Sequence, residues 1–115
     1  MNKLTLDEYQ AAAERTFIVE RDKIPYLLWG LSSEVGEVMG KAKRVIRDTV
    51  VPFDDLSYET RKEIAMELGD VLWYVATLAG HLQFDLSRVA EMNTSKLDRR
   101  MQLDLITGSG DDRCG

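Results

Sequence analysis

The amino-acid sequence predicts an all-α fold, a bundle of four helices in one domain. Apolar residues recur at steps of three and four along its main segments, the spacing that keeps one face of a helix apolar. A proline and paired aspartates interrupt this spacing in the segment "DTVVPFDDLS", which indicates a connecting loop. With 115 residues and a hydrophobic content of 44%, the chain is long enough to bury a core without a disulfide or a structural metal.

The first two helices have start signals in the sequence. Helix 1 is expected to begin at "TLDE", where Thr5 can cap the helix and Glu8 can complete a capping box, and to continue to about Glu20. Helix 2 is expected to carry Pro25 in its first turn and to end near Arg47. Its apolar seam consists of Leu28, Leu31, Val35, Val38, Ala42 and Val45.

Helix 3, expected to begin near Ser57, has two apolar faces. One seam carries Ile64, Leu68, Val71, Val75, Leu78 and Leu82. The opposite side carries the apolar or small residues Ala65, Met66, Gly69, Trp73, Ala76 and Gly80. Because a helix with two apolar faces is buried on both, we expect helix 3 to be central. Its second face then meets another helix, which a second copy of the chain can supply in a homo-oligomer.

Helix 4 is expected to be capped by Asp85 and to run to about Leu103. The chain then ends in the glycine-containing polar segment "ITGSGDDRCG", whose cation is Arg113. Two interpretations of this segment stay open. It is either an ordinary disordered end, or a segment that folds over a bound triphosphate so that Arg113 contacts phosphate.

Charge and composition argue against several classes of partner. The net charge of −5 disfavours a nucleic-acid polymer or an anionic membrane as the main partner. The longest stretch without a charged residue, "VLWYVATLAGHLQF", has fourteen residues and is too short to span a bilayer. The N-terminus lacks the apolar region of a secretory signal, and the single cysteine, Cys114, cannot form an internal disulfide. These features predict a cytoplasmic protein.

Two acidic bands flank the apolar seams of helices 2 and 3. The band on helix 2 consists of Gly30, Glu34, Glu37 and Lys41, and the band on helix 3 consists of Glu63, Glu67, Asp70 and Tyr74. If the two helices pack as antiparallel neighbours, the two spaced carboxylate pairs, Glu34 with Glu37 and Glu67 with Asp70, can converge at one site.

Each acidic band also has a plain alternative, a solvated helix face. On helix 2, Lys41 follows Glu37 by four residues, the favourable order for a surface ion pair. On helix 3, no Lys or Arg lies within one turn after Glu67 or Asp70, so this row should have raised pKa values or hold a cation. Hard oxygen ligands without a cysteine or a histidine cluster indicate Mg²⁺ or Mn²⁺ rather than zinc.

Helix 4 carries a stripe of opposite charge. It consists of Asn93, Lys96 and Arg100. Such a stripe alone is usually a solvated face. Opposite a carboxylate and metal cluster it suits a polyphosphate, because Lys and Arg neutralise the phosphate oxygens that the metal leaves free. Among the other candidates, His81 is expected in the core or an interface. Trp29 and Trp73 could stack on a base, but such residues more often pack, and we expect them to pack.

At these residues the sequence resembles the MazG-like family of all-α nucleoside triphosphate pyrophosphohydrolases, whose mark is an ExxE pair followed by an ExxD pair. The two pairs are "EVGE" at Glu34 to Glu37 and "ELGD" at Glu67 to Asp70. The stretches "SSEVGEV", "AMELGDVLWYVATLA", "NTSKLDRR" and "GSGDDR" extend the resemblance over helices 2 to 4 and the final segment.

The resemblance implies a MazG-like bundle over residues 1–106, a tail at 107–115, and a homodimer or homotetramer. It implies that the four carboxylates hold Mg²⁺, with Mn²⁺ as a substitute, and cleave a triphosphate between its α and β phosphates. Asn93, Lys96 and Arg100 stand at the family's phosphate-binding positions. Gly36 and Gly69 lie inside the acidic motifs, where we expect a missing side chain to let the helices approach closely enough to share a metal.

A function of another class also fits the sequence. The chain could be a non-catalytic helical module that binds nucleotide without turnover, or that acts through oligomerisation or regulatory contacts. The presence of all four carboxylates and of the basic stripe favours the enzyme. Within the enzyme, any carboxylate not fully engaged with metal could remove the proton from water, and we favour Glu37. No motif identifies the base or the sugar of the substrate.

Overall fold

The structure, a computed structural model, describes residues 2–103, and this range contains helices and no strand. The helices are α1 (Leu6–Arg15), α2 (Lys23–Asp48), α3 (Tyr58–His81) and α4 (Leu86–Gln102), with a short 3₁₀ turn at Phe53–Asp55. The predicted all-α class with four helices is therefore confirmed. The final segment, with Arg113 and Cys114, lies outside the described residues.

Helix α1 begins as predicted but ends earlier. The Thr5 hydroxyl accepts a hydrogen bond from the Glu8 backbone N–H at 3.1 Å, and the Glu8 carboxylate accepts one from the Thr5 N–H at 2.9 Å, which completes the capping box. The predicted extension to Glu20 is wrong, because α1 ends at Arg15. The Thr16 hydroxyl donates to a carbonyl of the last turn, and the "FIV" that follows has low helix propensity.

The bounds of α2 and α3 lie close to the predicted ones. Pro25 stands in the first turn of α2, where its missing N–H has no helical partner to lose. The helix ends at Asp48, one residue beyond the predicted Arg47. The Ser57 hydroxyl caps α3 by accepting a hydrogen bond from the Thr60 N–H at 3.2 Å.

The cap of α4 comes from α1. Asp85 occupies the cap position, as predicted, but its side chain makes no capping hydrogen bond. Instead, the carboxylate of Asp7 accepts hydrogen bonds from the Ser87 N–H at 2.9 Å and from the Ser87 hydroxyl at 2.7 Å. The side-chain oxygen of Gln10 accepts another from the Leu86 N–H at 3.0 Å. The prediction of a local cap is therefore wrong, because α1 packs against this helix end and supplies the acceptors.

Helix α3 is central, as predicted, since it contacts α1, α2 and α4. Its buried residues are Ala76, Thr77, Leu78 and Ala79, all in its C-terminal half. In the N-terminal half, Leu68 on the first seam is 52% exposed and Met66 on the second is 65% exposed. Within one copy of the chain, α3 is therefore buried on both sides only along its C-terminal half.

The described core is small for a chain of this length. Its buried apolar residues are Ala13, Leu27, Val38, Ala76, Leu78, Ala79 and Leu86. Large apolar side chains remain exposed on α2, including Met39 and Trp29, and for Trp29, at 75% exposure, the prediction that it packs is wrong within this chain. Despite this exposure, no helix within residues 2–103 is long and apolar enough to cross a membrane.

Candidate functional site

Two contacts define how α2 and α3 lie against each other. Lys41 on α2 meets Glu63 on α3, with the lysine nitrogen 3.6 Å from a carboxylate oxygen. Gly30, nearer the N-terminus of α2, contacts the ring of Tyr74 on α3. Residue numbers rise along α2 as they fall along α3, so the two helices are antiparallel. The two acidic bands consequently lie side by side.

The carboxylates of Glu34, Glu67 and Asp70 converge in this groove. One oxygen from each lies within 4.8 Å of the other two. Glu34 and Glu67 are half-buried, whereas Asp70 is exposed. The ligand oxygens of Mg²⁺ stand about 2.1 Å from the ion, so a small adjustment of the side chains would bring all three onto one cation.

The site carries more negative charge than its surroundings balance. Burial raises the pKa of Glu34, and the nearby charges of Asp70, Glu67 and Glu37 raise this pKa further. Each of these effects disfavours the ionised form of Glu34, and a divalent cation held between the carboxylates would reverse them. The shifted group is Glu34 on α2, which faces Glu67 and Asp70 across the groove.

Glu37 does not belong to the converging group, although its charge contributes to the raised pKa of Glu34. The structure thus brings together three of the four predicted carboxylates, and Glu37 stays exposed beside them. The alternative ion pair between Glu37 and Lys41 is also not what the structure shows. Lys41 reaches across the groove to Glu63 on α3 instead.

The glycines of the acidic motifs do not produce a close approach within this chain. A Cβ atom added at Gly36 or at Gly69 would meet nothing within 4 Å beyond the neighbouring backbone, so the predicted reason for these glycines is wrong here. The close approach occurs at Gly30, where a Cβ atom would overlap the ring of Tyr74. Sequence spacing had placed Gly30 and Tyr74 in the two bands, but it could not pair them without the register.

Two tyrosines border the carboxylates. The Tyr9 hydroxyl donates to the Gly69 carbonyl at 3.5 Å, and burial together with the charge of Asp70 raises the pKa of Tyr9. Burial and a hydrogen bond with Tyr26 raise the pKa of Tyr74, which also lies near the acidic group. The position of Tyr9 could not be predicted from the sequence, because this residue comes from α1 and no spacing rule links it to a residue 60 positions away.

The predicted phosphate-binding stripe lies on α4, and its three residues differ in burial. Asn93 is exposed, Lys96 is half-buried, and Arg100 is buried with 4% exposure. The solvated-face alternative is therefore wrong for Arg100. Arg113, the remaining predicted phosphate contact, lies outside the described residues.

His81 and Trp73 have structural partners, as predicted. His81 contacts the Glu14 carboxylate at 3.1 Å and packs edge-on against Phe17, with ring centroids 5.2 Å apart. The indole N–H of Trp73 donates to the Thr16 hydroxyl at 2.8 Å. A cavity of about 330 Å³ lies beside His81, at the C-terminal end of α3, whereas Glu67 and Asp70 lie near the middle of this helix.

Comparison with known proteins identifies a family model and a phage protein that match most of this chain. The family model of the MazG nucleotide pyrophosphohydrolase domain matches residues 24–103, which include α2, α3 and α4 apart from the first residue of α2. The chain is also 38% identical to the Gene 37 protein of Mycobacterium phage L5, over 94% of this chain and 98% of that protein. No solved structure matches the chain.

Proposed function

Since the chain belongs to the MazG nucleotide pyrophosphohydrolase domain family, we propose that it is a Mg²⁺-dependent nucleoside triphosphate pyrophosphohydrolase. The reaction would cleave an NTP or dNTP between the α and β phosphates and release the nucleoside monophosphate and pyrophosphate. The observation that carries this proposal is the convergence of Glu34, Glu67 and Asp70 within 4.8 Å in the groove between α2 and α3.

The donor set fits the metal that the family implies. Glu34, Glu67 and Asp70 offer hard carboxylate oxygens, and the group contains neither histidine nor cysteine, so Mg²⁺ or Mn²⁺ suits it better than zinc. The raised pKa of Glu34 also supports a bound cation, because burial and three neighbouring carboxylates disfavour its ionised form and a cation would offset them. When bound, Mg²⁺ neutralises phosphate charge and makes a water molecule more acidic.

We assign the removal of the proton from water to Glu37. This carboxylate is exposed and outside the converging group, so its oxygens are free for a proton while those of Glu34, Glu67 and Asp70 serve the metal. In the overall reaction one water adds across the α–β anhydride bond, its proton passes to Glu37, and pyrophosphate departs with the electrons of the broken P–O bond. Glu37 remains a candidate fourth metal ligand as well, since it stands one turn from Glu34.

Binding of the phosphate chain is assigned to four residues. They are Asn93, Lys96, Arg100 and Arg113. The support for Asn93, Lys96 and Arg100 is the stripe that they share on α4, at positions that match the family's phosphate-binding positions. For Arg113 the sequence is the only support, through the glycines that precede it in "GSGDDR".

We further propose that the chain assembles with copies of itself, as a homodimer or a homotetramer. The support is the apolar surface that one copy leaves exposed, including Met39 on α2 and Met66 on α3, which are 58% and 65% exposed. We place the activity in the cytoplasm, since one cysteine and no disulfide fit a reducing compartment.

A substrate screen tests the proposed function. Release of pyrophosphate should be measured for all common NTPs and dNTPs in Mg²⁺, in Mn²⁺ and in excess EDTA. The proposal requires turnover of at least one nucleotide in Mg²⁺ and loss of that turnover in EDTA. Absence of turnover on the whole panel would favour the non-catalytic module.

A further inference from the structure

Lys41 has an unusual position for a lysine. It lies on the acidic band of α2, one turn beyond Glu37, and its side chain is only 26% exposed. Its partner Glu63 belongs to the acidic band of α3 and is 59% exposed. The pair bridges the two helices that carry the candidate metal ligands, and it spans the same groove.

The register gives the distance between this pair and the carboxylate group. Glu63 precedes Glu67 by four residues, which corresponds to about 6 Å along the axis of α3. The pair of Lys41 and Glu63 therefore joins the two acidic bands about one helical turn from the level of Glu67. A distance of this size is comparable with the span of a triphosphate chain.

We propose that Lys41 is an additional phosphate-binding residue, which exchanges its contact with Glu63 for the terminal phosphate of a bound polyphosphate. The inference rests on the proposed function for the class of ligand. It also gives the ligand a direction, with the terminal phosphate towards Lys41 and the nucleoside towards the opposite end of the groove, where Tyr74 lies against Gly30.

The charge and the exposure of Glu63 explain why Lys41 would leave it for a terminal phosphate. The contact of 3.6 Å between Lys41 and Glu63 is long for a charge-assisted hydrogen bond, and Glu63 is mostly exposed, so the ion pair is weak. A terminal phosphate offers more charge and more oxygens than one carboxylate does. In the free protein, Glu63 is the contact of the lysine across the two helices. In the complex, Lys41 neutralises charge on the phosphates that leave as pyrophosphate.

Four variants separate phosphate binding from a purely structural ion pair. K41Q removes the cation, and E63Q removes its partner. The double variant K41Q/E63Q restores the net charge of the wild-type pair without the lysine. K62Q makes the same chemical change at the neighbouring exposed lysine of α3 and serves as the matched control.

The measurement is calorimetric titration of each full-length variant with inorganic tripolyphosphate in saturating Mg²⁺. We expect K41Q to weaken binding about tenfold or more, and the double variant to stay equally weak. We expect E63Q to bind at least as tightly as the wild type, because the competing carboxylate is gone, and K62Q to bind like the wild type. Wild-type affinity in K41Q, recovery of affinity in the double variant, or no tripolyphosphate binding by the wild type would each overturn the proposal.

The outcome is distinct from that of the proposed function. If the wild-type protein hydrolyses no nucleotide but loses tripolyphosphate binding on K41Q, the pyrophosphohydrolase proposal fails and the phosphate contact stands. If the wild type hydrolyses a nucleotide and K41Q has the same kcat/KM, the function stands and the role of Lys41 is contradicted.

Discussion

The ring of Tyr74 lies against the backbone of Gly30, at the place where any larger residue would put its Cβ atom. This contact joins α2 to α3 one turn from Glu34 and Asp70, so it helps to set the spacing of the carboxylates. The tyrosine is itself held by Tyr26, with ring centroids 6.5 Å apart, and by Trp73 at 4.8 Å. The ring therefore has little room to move aside.

Gly30→Ala should destabilise the protein, since the added methyl group forces the Tyr74 ring out of place. Overpacking of this kind costs about 1–3 kcal/mol. Gly36→Ala is the matched control, because the same methyl group meets open space there and alanine favours a helix interior by about 1 kcal/mol. Thermal unfolding should show a lower Tm for G30A and an equal or higher Tm for G36A. A G30A variant as stable as wild type would show that the contact tolerates a side chain.

Asp7→Ala should destabilise the junction of α1 and α4 more than Asp85→Ala does. Asp7 accepts two hydrogen bonds from Ser87, whereas Asp85 makes no side-chain capping bond although it occupies the cap position. The comparison of Tm values at neutral pH tests this order. An equal or larger loss in D85A would contradict the assignment of the cap to α1.

The contribution of Asp7 to the stability of the folded protein should also depend on pH, and it should be lost in acid. The hydrogen bonds from Ser87 lower the pKa of Asp7 below its ordinary value of 3.8 in the folded protein. A group with a lowered folded pKa stabilises the protein above its unfolded pKa, and the stabilisation is lost as pH falls through the folded pKa. The Tm difference between wild type and D7A should therefore be constant above pH 5 and shrink below about pH 3.8. A difference that persists unchanged in acid would show that the ionised carboxylate is not what stabilises the junction.

Glu67→Gln should remove activity without unfolding the protein. Glu67 contributes one of the three converging carboxylates, and its loss relieves repulsion in the metal-free state, so the Tm in EDTA should be unchanged or higher. Turnover in Mg²⁺ should fall by at least about 10–100-fold, the loss typical of removing a group that merely supports a metal ligand. Glu59→Gln in the first turn of the same helix is the control and should retain turnover. An E67Q variant that unfolds would instead show that Glu67 is needed for the fold.

Replacement of exposed methionines should dissociate the proposed oligomer. Met39 and Met66 lie at nearly the same level of the α2–α3 hairpin by the register above, and both are largely exposed in one copy of the chain. A charge buried in an interface is strongly unfavourable, so M39E/M66E should reduce the mass measured by light scattering. Ile18→Glu, at a position that is 86% exposed between α1 and α2, should leave the mass unchanged. A wild-type protein that is monomeric at working concentration would refute self-assembly.

The sequence predicted those features that depend on local spacing. The four helices, the capping box of Thr5 and Glu8, and the shared face of Glu67 and Asp70 all follow from helical geometry within a few residues. The central place of α3 followed from its two apolar sides. Convergence of Glu34 with the pair on α3 needed one further assumption, antiparallel packing, which a hairpin of two long helices makes natural.

The features that the sequence did not predict depend on which helices meet. The α4 cap from Asp7, the tyrosine contact from Tyr9 and the Lys41 pair with Glu63 all cross between helices. For the α4 cap and for Lys41, a partner nearer in sequence looked suitable, namely Asp85 and Glu37. For Tyr9 the sequence offered no partner. The early end of α1 has a similar cause, because the Thr16 hydroxyl binds the last turn and also receives the indole of Trp73.

Product analysis by phosphorus NMR, on the best nucleotide of the screen, distinguishes a pyrophosphohydrolase from other nucleotide hydrolases when it is done with Mg²⁺ and then with excess EDTA. We expect wild-type protein to convert the triphosphate to nucleoside monophosphate and pyrophosphate in Mg²⁺, without inorganic phosphate as an early product, and we expect EDTA to stop the reaction. Products of nucleoside diphosphate and inorganic phosphate, or undiminished conversion in EDTA, would contradict a metal-dependent pyrophosphohydrolase built on Glu34, Glu67 and Asp70.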